Sequence, residues 1–149
     1  MLDNMIKELI NKIAEIEKKY DTNIFEEVSK ASDDEINNLK NWFANHSQIN
    51  IEEYIELIKY INGLSFNGLL IYSLDEECDY NIYNSNEEWW CDNEEQQQYI
   101  FFGDDSISWY CVNKNTGKYF ILDKPGGNIM EEYGTFNELI IEALNVCLN

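Results

Sequence analysis

His46 is the only histidine of this 149-residue chain, so any Ser-His-Asp or Cys-His chemistry would have to run through it. It stands in NWFANHSQ, just past the apolar stripe of a helix, where a histidine is expected to answer the last carbonyls and the helix dipole. Cys78, Cys91, Cys111 and Cys147 are widely spaced with no C-x-x-C, and with one histidine they do not form a zinc pattern. They are expected to be reduced thiols with no structural disulfide. Gly103-Asp104-Asp105 offers a carboxylate pair of the kind that holds metal ions in phosphoryl transfer. That chemistry needs further carboxylates and a basic channel, and a turn between strands is the expectation instead. Gly126-Gly127 follows Pro125, but no Lys-Ser/Thr comes after it, so it is a turn and not a phosphate loop. The polar stretch 75–98 lacks the central glycine of a calcium loop. No catalytic residue, metal or cofactor is expected.

What remains is charge. The chain carries 29 acidic and 10 basic residues, a net charge of −19, and every basic residue is a lysine. That balance excludes nucleic acid and anionic membrane surfaces as partners, because both require a basic stripe. No lysine occurs between Lys59 and Lys114. Within that gap stand Asp75, Glu76, Glu77, Asp79, Glu87, Glu88, Asp92, Glu94 and Glu95, with Asp104 and Asp105 further on. Trp89 and Trp90 sit inside the cluster. Large aromatic side chains in acidic surroundings suit an interface with a basic protein, the aromatic as anchor and the charge as steering field. The competing reading is a solvated loop whose tryptophans fold back onto the core, with acidity serving solubility.

The elements that must carry this stretch follow from periodicity. Leu2, Met5, Ile6, Leu9, Ile13, Ile16 and Tyr20 form one helical stripe. Charged residues break it too often for a signal peptide, and no apolar run reaches the roughly 20 residues of a membrane helix, so a cytoplasmic location is expected. Ser32 with Glu35 opens a second helix whose stripe is Ile36, Leu39 and Phe43. A third helix has Ile51, Tyr54, Ile55, Ile58 and Ile61 on one face, Asn50 and Glu53 as its capping box, and Gly63 to end it. Tyr54, Ile58 and Ile61 should then face a strand at 69–72, beside Leu70 and Tyr72. Residues 75–98 read as an irregular excursion with a short helix at 84–90. Strands are expected at 99–102, 107–112 and 118–122, with turns at Asn115-Thr116-Gly117 and at Pro125 to Asn128. Thr135 and Glu138 cap a last helix that buries Phe136, Leu139, Ile140, Ala143, Leu144 and Cys147. Helices, then strands, then a helix make an α+β order in one domain, 1–149.

Several of these pieces together resemble the SUKH superfamily of bacterial immunity proteins. They are the capped helix Ser32 to Phe43, the helix-NG-strand unit EEYIELIKYINGLSFNGLLIYS, the segment YIFFGDDSISWYCVNKNTGKYFILD, and Gly134-Thr135-Phe136 opening the last helix. Asn50-Ile51 stands where the family often has Leu-Pro, and the 75–98 excursion departs from the common pattern. The resemblance implies a mixed, mainly antiparallel sheet flanked by N- and C-terminal helices, and no catalytic apparatus. It implies a protein that binds and neutralises a polymorphic toxin domain encoded nearby; the oligomeric state is left open, with a monomer favoured. A basic toxin domain, such as a nuclease, fits the charge. The family also includes general protein-interaction modules, the alternative reading. The partner-binding residues expected are Asp75, Glu76, Glu77, Asp79, Glu87, Glu88, Trp89, Trp90, Asp92, Glu94 and Glu95.

Overall fold

The computed structural model describes residues 1–27 and 29–149. Helix α1, Asn4–Lys18, opens on Asp3, whose carboxylate accepts the Met5 and Ile6 N–H groups. It buries Ile6, Leu9, Ile10 and Ile13. Met5 and Tyr20, expected on that stripe, are exposed; Tyr20 lies past the helix end at Lys18, where the chain turns through Asp21 at φ 58°. A short α2, Ile24–Glu27, precedes α3, Asp33–Ala44. Here the Ser32–Glu35 capping box closes in both directions, and Ile36, Leu39 and Phe43 are buried.

Helix α4, Glu52–Tyr60, buries Tyr54, Ile55, Leu57 and Ile58. Its expected caps are differently used. Asn50 accepts the Glu52 N–H at 2.8 Å, but Glu53 does not return to close a box. The Glu53 carboxylate instead accepts the backbone N–H and the side-chain amide of Asn137, both at 3.1 Å. A carboxylate at the start of the last helix also favours that helix's positive end. Gly63 does not end α4 either. The helix gives way at Ile61, already extended, and Gly63 at φ +96° turns the chain into a strand, where a Cβ would lie 2.9 Å from that of Ser73. Tyr54 donates its hydroxyl to the Tyr72 carbonyl at 2.8 Å, which ties α4 to the end of the strand, but the Tyr72 side chain does not lie beside Tyr54 as expected: its hydroxyl meets Trp89 and Asp104.

Among the described residues the strands form one six-stranded antiparallel meander in chain order. They are β1 Leu64–Phe66, β2 Leu69–Ile71, β3 Tyr99–Asp104, β4 Ser108–Asn113, β5 Tyr119–Asp123 and β6 Ile129–Tyr133. Among the described residues the only parallel pairing is an isolated Ser73–Asn81 bridge. Two strands lie outside the sequence expectation. β1 and β2 form a hairpin over Asn67-Gly68, both at positive φ, as a primed two-residue turn demands. β6 follows the Pro125–Asn128 turn and carries no strand signal, because IMEEY is exposed along most of its length and shows no apolar alternation.

Strands β3, β4 and β5 are buried on both faces. On one face Phe102 meets Phe43, Tyr54, Tyr119 and Phe136, so α3, α4 and the last helix, α6 Phe136–Leu148, share this core. On the other face runs a second aromatic series, Trp109–Phe101–Tyr99–Phe120. Covering that face falls to residues 75–98, which fold into α5, Ile82–Asp92, and a 3₁₀ turn, Glu94–Gln98.

Candidate functional surface

The excursion is fastened to the sheet by buried amides. Ser73 N–H donates to the Tyr80 carbonyl at 3.1 Å, and Ile82 N–H to the Ser73 carbonyl at 2.8 Å, closing the loop between them. Asn62 accepts the Leu74 N–H at 2.8 Å, and Asn81 caps α5 by accepting the Asn84 N–H. Asn86 is fully buried and does the work of a missing strand. Its carbonyl oxygen accepts the Phe101 N–H at 2.7 Å, and its amide donates to the Phe101 and Ile82 carbonyls at 2.9 and 2.8 Å. Strand β2 has ended by this point on β3, and a side chain of α5 satisfies the backbone it leaves open.

Both tryptophans fold back. Trp89 donates its indole N–H to the Tyr72 hydroxyl at 2.9 Å and packs edge-on against Trp109, centroids 5.5 Å apart. Tyr72 donates to the Asp104 carboxylate, whose other oxygen pairs with the Lys124 ammonium at 2.8 Å. Burial and the neighbouring Asp104 charge push the Tyr72 hydroxyl far above its usual titration range, so it stays a donor. Trp90 donates to the Tyr99 carbonyl at 2.8 Å and stacks on Trp42, with His46 at 5.0 Å. Lysines reach in from outside the segment. Lys114 stands 4.3 Å from the Trp90 ring and Lys124 5.1 Å from the Trp89 ring. The lysine-free stretch of sequence is therefore not lysine-free in space.

The three groups that most invited catalytic readings take other places. His46 sends its backbone N–H to the Phe43 carbonyl, while its ring packs between Trp42 and Trp90. Burial first, then Lys114, lower its pKa, so it is a neutral packed ring and not a charge answering the helix dipole. Asp104 lies within β3 and is buried in the ion pair, and Asp105 accepts the Tyr110 hydroxyl at 2.7 Å. The pair is thus part strand and part turn. All four cysteines are free thiols.

The carboxylates face water. Asp75, Glu76, Glu77, Asp79, Glu87, Glu88, Asp92, Glu94 and Glu95 are all exposed, and none is in an ion pair among the described residues. They fall on the loop before α5, on α5 itself and on the 3₁₀ turn after it, so the fold gathers them on the element that lies over the second sheet face. Their placement does not favour the helix. The first turn of α5 has no acidic residue, its last turn has no basic one, and Asp92 is its final residue, against the dipole. In α3 the acids Asp33, Asp34 and Glu35 sit in the first turn, where they stabilise.

Sequence reasoning missed the partners from distant strands. Trp109, Lys124 and Pro125 face Trp89, Asp92, Asn93 and Gln96 across a cleft of about 420 Å3. The unusually continuous apolar run of β4 was the available signal, since it required a cover on the second sheet face. No family model matches this chain, and no curated protein matches it in sequence. Among the described residues no helix is long and apolar enough to cross a membrane, and no cluster of His, Cys, Asp and Glu is arranged to hold a metal ion.

Proposed function

We propose that this chain is a non-enzymatic, cytoplasmic immunity protein of the SUKH type. It binds a basic toxin domain, encoded nearby, and occludes its working surface through an interface of roughly 800 Å² per side. The observation that carries this reading is the set of exposed, unpaired carboxylates on α5 and its flanks, one of them at the wrong end of the helix dipole. Charges that do not help the helix that bears them are what selection for a basic partner would keep. The rigid attachment of that element supports the same reading, because a surface held in one shape loses little entropy on binding. Co-expression of the toxin domain from the neighbouring gene tests it: this chain should restore growth, and the variant with Glu87, Glu88, Asp92, Glu94 and Glu95 changed to Gln or Asn should restore it less. A general interaction module would form a complex with another protein and give no protection.

A further inference from the structure

We propose that the outer edge of β6, Ile129–Tyr133, takes up a basic β-strand of the protein partner. This rests on the reading that the partner is a basic protein, and it adds how that partner engages. β6 ends the sheet, with β5 as its one neighbouring strand among the described residues. The hydrogen bonds of β5 show which groups of β6 look outward. The Lys118 carbonyl accepts the Asn113 N–H, and the Lys124 N–H donates to the Ile107 carbonyl, so both residues turn toward β4. Asp123 turns the other way, its carbonyl accepting the Gly127 N–H and its N–H donating to the Asn128 carbonyl. Alternation then points Tyr119 and Ile121 at β6, where they pair with Tyr133 and Glu131. Glu132, between those two, turns its backbone N–H and C=O away from β5, and neither has a partner among the described residues.

An edge of this kind accepts a further strand unless it is guarded, and the charges on this one decide which strand. A second copy laid antiparallel, with Glu132 opposite Glu132, sets like charges across the new ladder between two chains of −19 each. A basic strand meets the reverse. Burial first, then Glu142, Glu131 and Glu138, raise the pKa of the Tyr133 hydroxyl, so three carboxylates stand near one side chain of the edge. None of the three is in an ion pair among the described residues, and Glu132 has Lys118 at 3.9 Å with both side chains more than half exposed. Lysine or arginine on the incoming strand complements these carboxylates. Its apolar side chains meet Ile129 and Met130, 56% and 61% exposed, of which Met130 is the extra residue of a bulge between the pairs Ile129–Leu122 and Glu131–Ile121. The edge also continues the acidic surface of α5, since Pro125 of the β5–β6 turn faces Asp92 across the cleft.

The probe is an acetylated, amidated hexapeptide of alternating lysine and valine, titrated into the full chain and followed by backbone amide resonances in NMR. The Glu132 amide should shift and its exchange with solvent should slow, while a glutamate–valine hexapeptide should leave it unchanged. Two variants of equal charge then isolate the backbone. Glu132→Gln keeps the outward N–H, and Glu132→Pro deletes it at an edge position that leaves the ladder to β5 intact. One hydrogen bond lost should make the lysine–valine peptide bind Glu132→Pro about fivefold more weakly than Glu132→Gln. If Glu132→Pro does not fold, a fully N-methylated lysine–valine peptide, which cannot donate to the Glu132 carbonyl, should bind the wild type weaker by the same factor. Equal affinity in the comparison made, equal binding of the glutamate–valine peptide, or shifts confined to α5 amides would overturn the proposal. Because the probe needs no toxin, a failure here leaves toxin neutralisation through α5 standing, and a failure of growth protection leaves the edge and its preference for a basic strand standing.

Discussion

Asn86 shows how one polar side chain can stand in for a length of strand. Both backbone groups of Phe101 depend on it, and the site is sealed from water. Asn86→Ala should therefore destabilise the protein by about 3 kcal/mol, the cost of leaving a buried donor and a buried acceptor unpaired. Exposed Asn84→Ala, two residues earlier, should cost less than about 0.5 kcal/mol; urea titrations of both measure the contrast. His46 makes a second prediction at this scale. Its folded pKa lies below the ordinary 6.5, chiefly through burial and then through Lys114. As pH falls through about 6.5 the unfolded chain takes up the proton first, so stability is lost on acidification and the loss is complete below the folded pKa. Melting temperatures at about pH 8 and about pH 5 should drop further for the wild type than for His46→Gln. An equal drop would mean the ring is not held neutral by its surroundings. Neither role could be read in the sequence, because an asparagine in a polar segment and a histidine after a helix look like surface residues until a distant element, β3 for Asn86 and α5 for His46, supplies a partner.

At the scale of elements, the core-facing helices were readable and the caps only partly so. The stripes of α3 and of α6, Phe136–Leu148, are buried residue for residue, since each helix keeps its apolar residues on one face. Ser32 and Thr135 cap as their sequences predict, each accepting the backbone N–H three residues on. Glu53 does not, because Asn137, 84 residues away, offers it two donors. Ile58 is fully buried on α4, and Ile58→Ala should cost about 2–5 kcal/mol in the same urea assay. The excursion was the least readable element. Its polar composition predicts solvent, and one face of it is indeed solvated, but its small buried set of Ile82, Ser85 and Asn86 is mostly polar and gives little apolar periodicity. The buried ion pair that fastens it makes a further prediction. Lys124→Met leaves Asp104 uncompensated under Trp89, and should destabilise by about 3–5 kcal/mol. A change below about 1 kcal/mol would mean that the pair is surface-like.

For the molecule as a whole, the α+β architecture with helices at both ends follows from pattern alone, while the second sheet face and its cover emerge only in three dimensions. The cover carries the charge, so stability and function should pull apart there. Replacing Glu87, Glu88, Asp92, Glu94 and Glu95 with Gln or Asn removes mutual repulsion and an acid at the C-terminal end of α5, and should raise the melting temperature. Association kinetics with the neighbouring gene's toxin domain at low and high salt, wild type beside this variant, put the electrostatic interface to its most direct test. At low salt the variant should associate more slowly with little change in dissociation, and the two proteins should converge at about 1 M salt, where the Debye length is about 3 Å. Equal association rates at low salt, with the variant merely more stable, would contradict an acidic docking surface on α5 and leave its carboxylates to solubility.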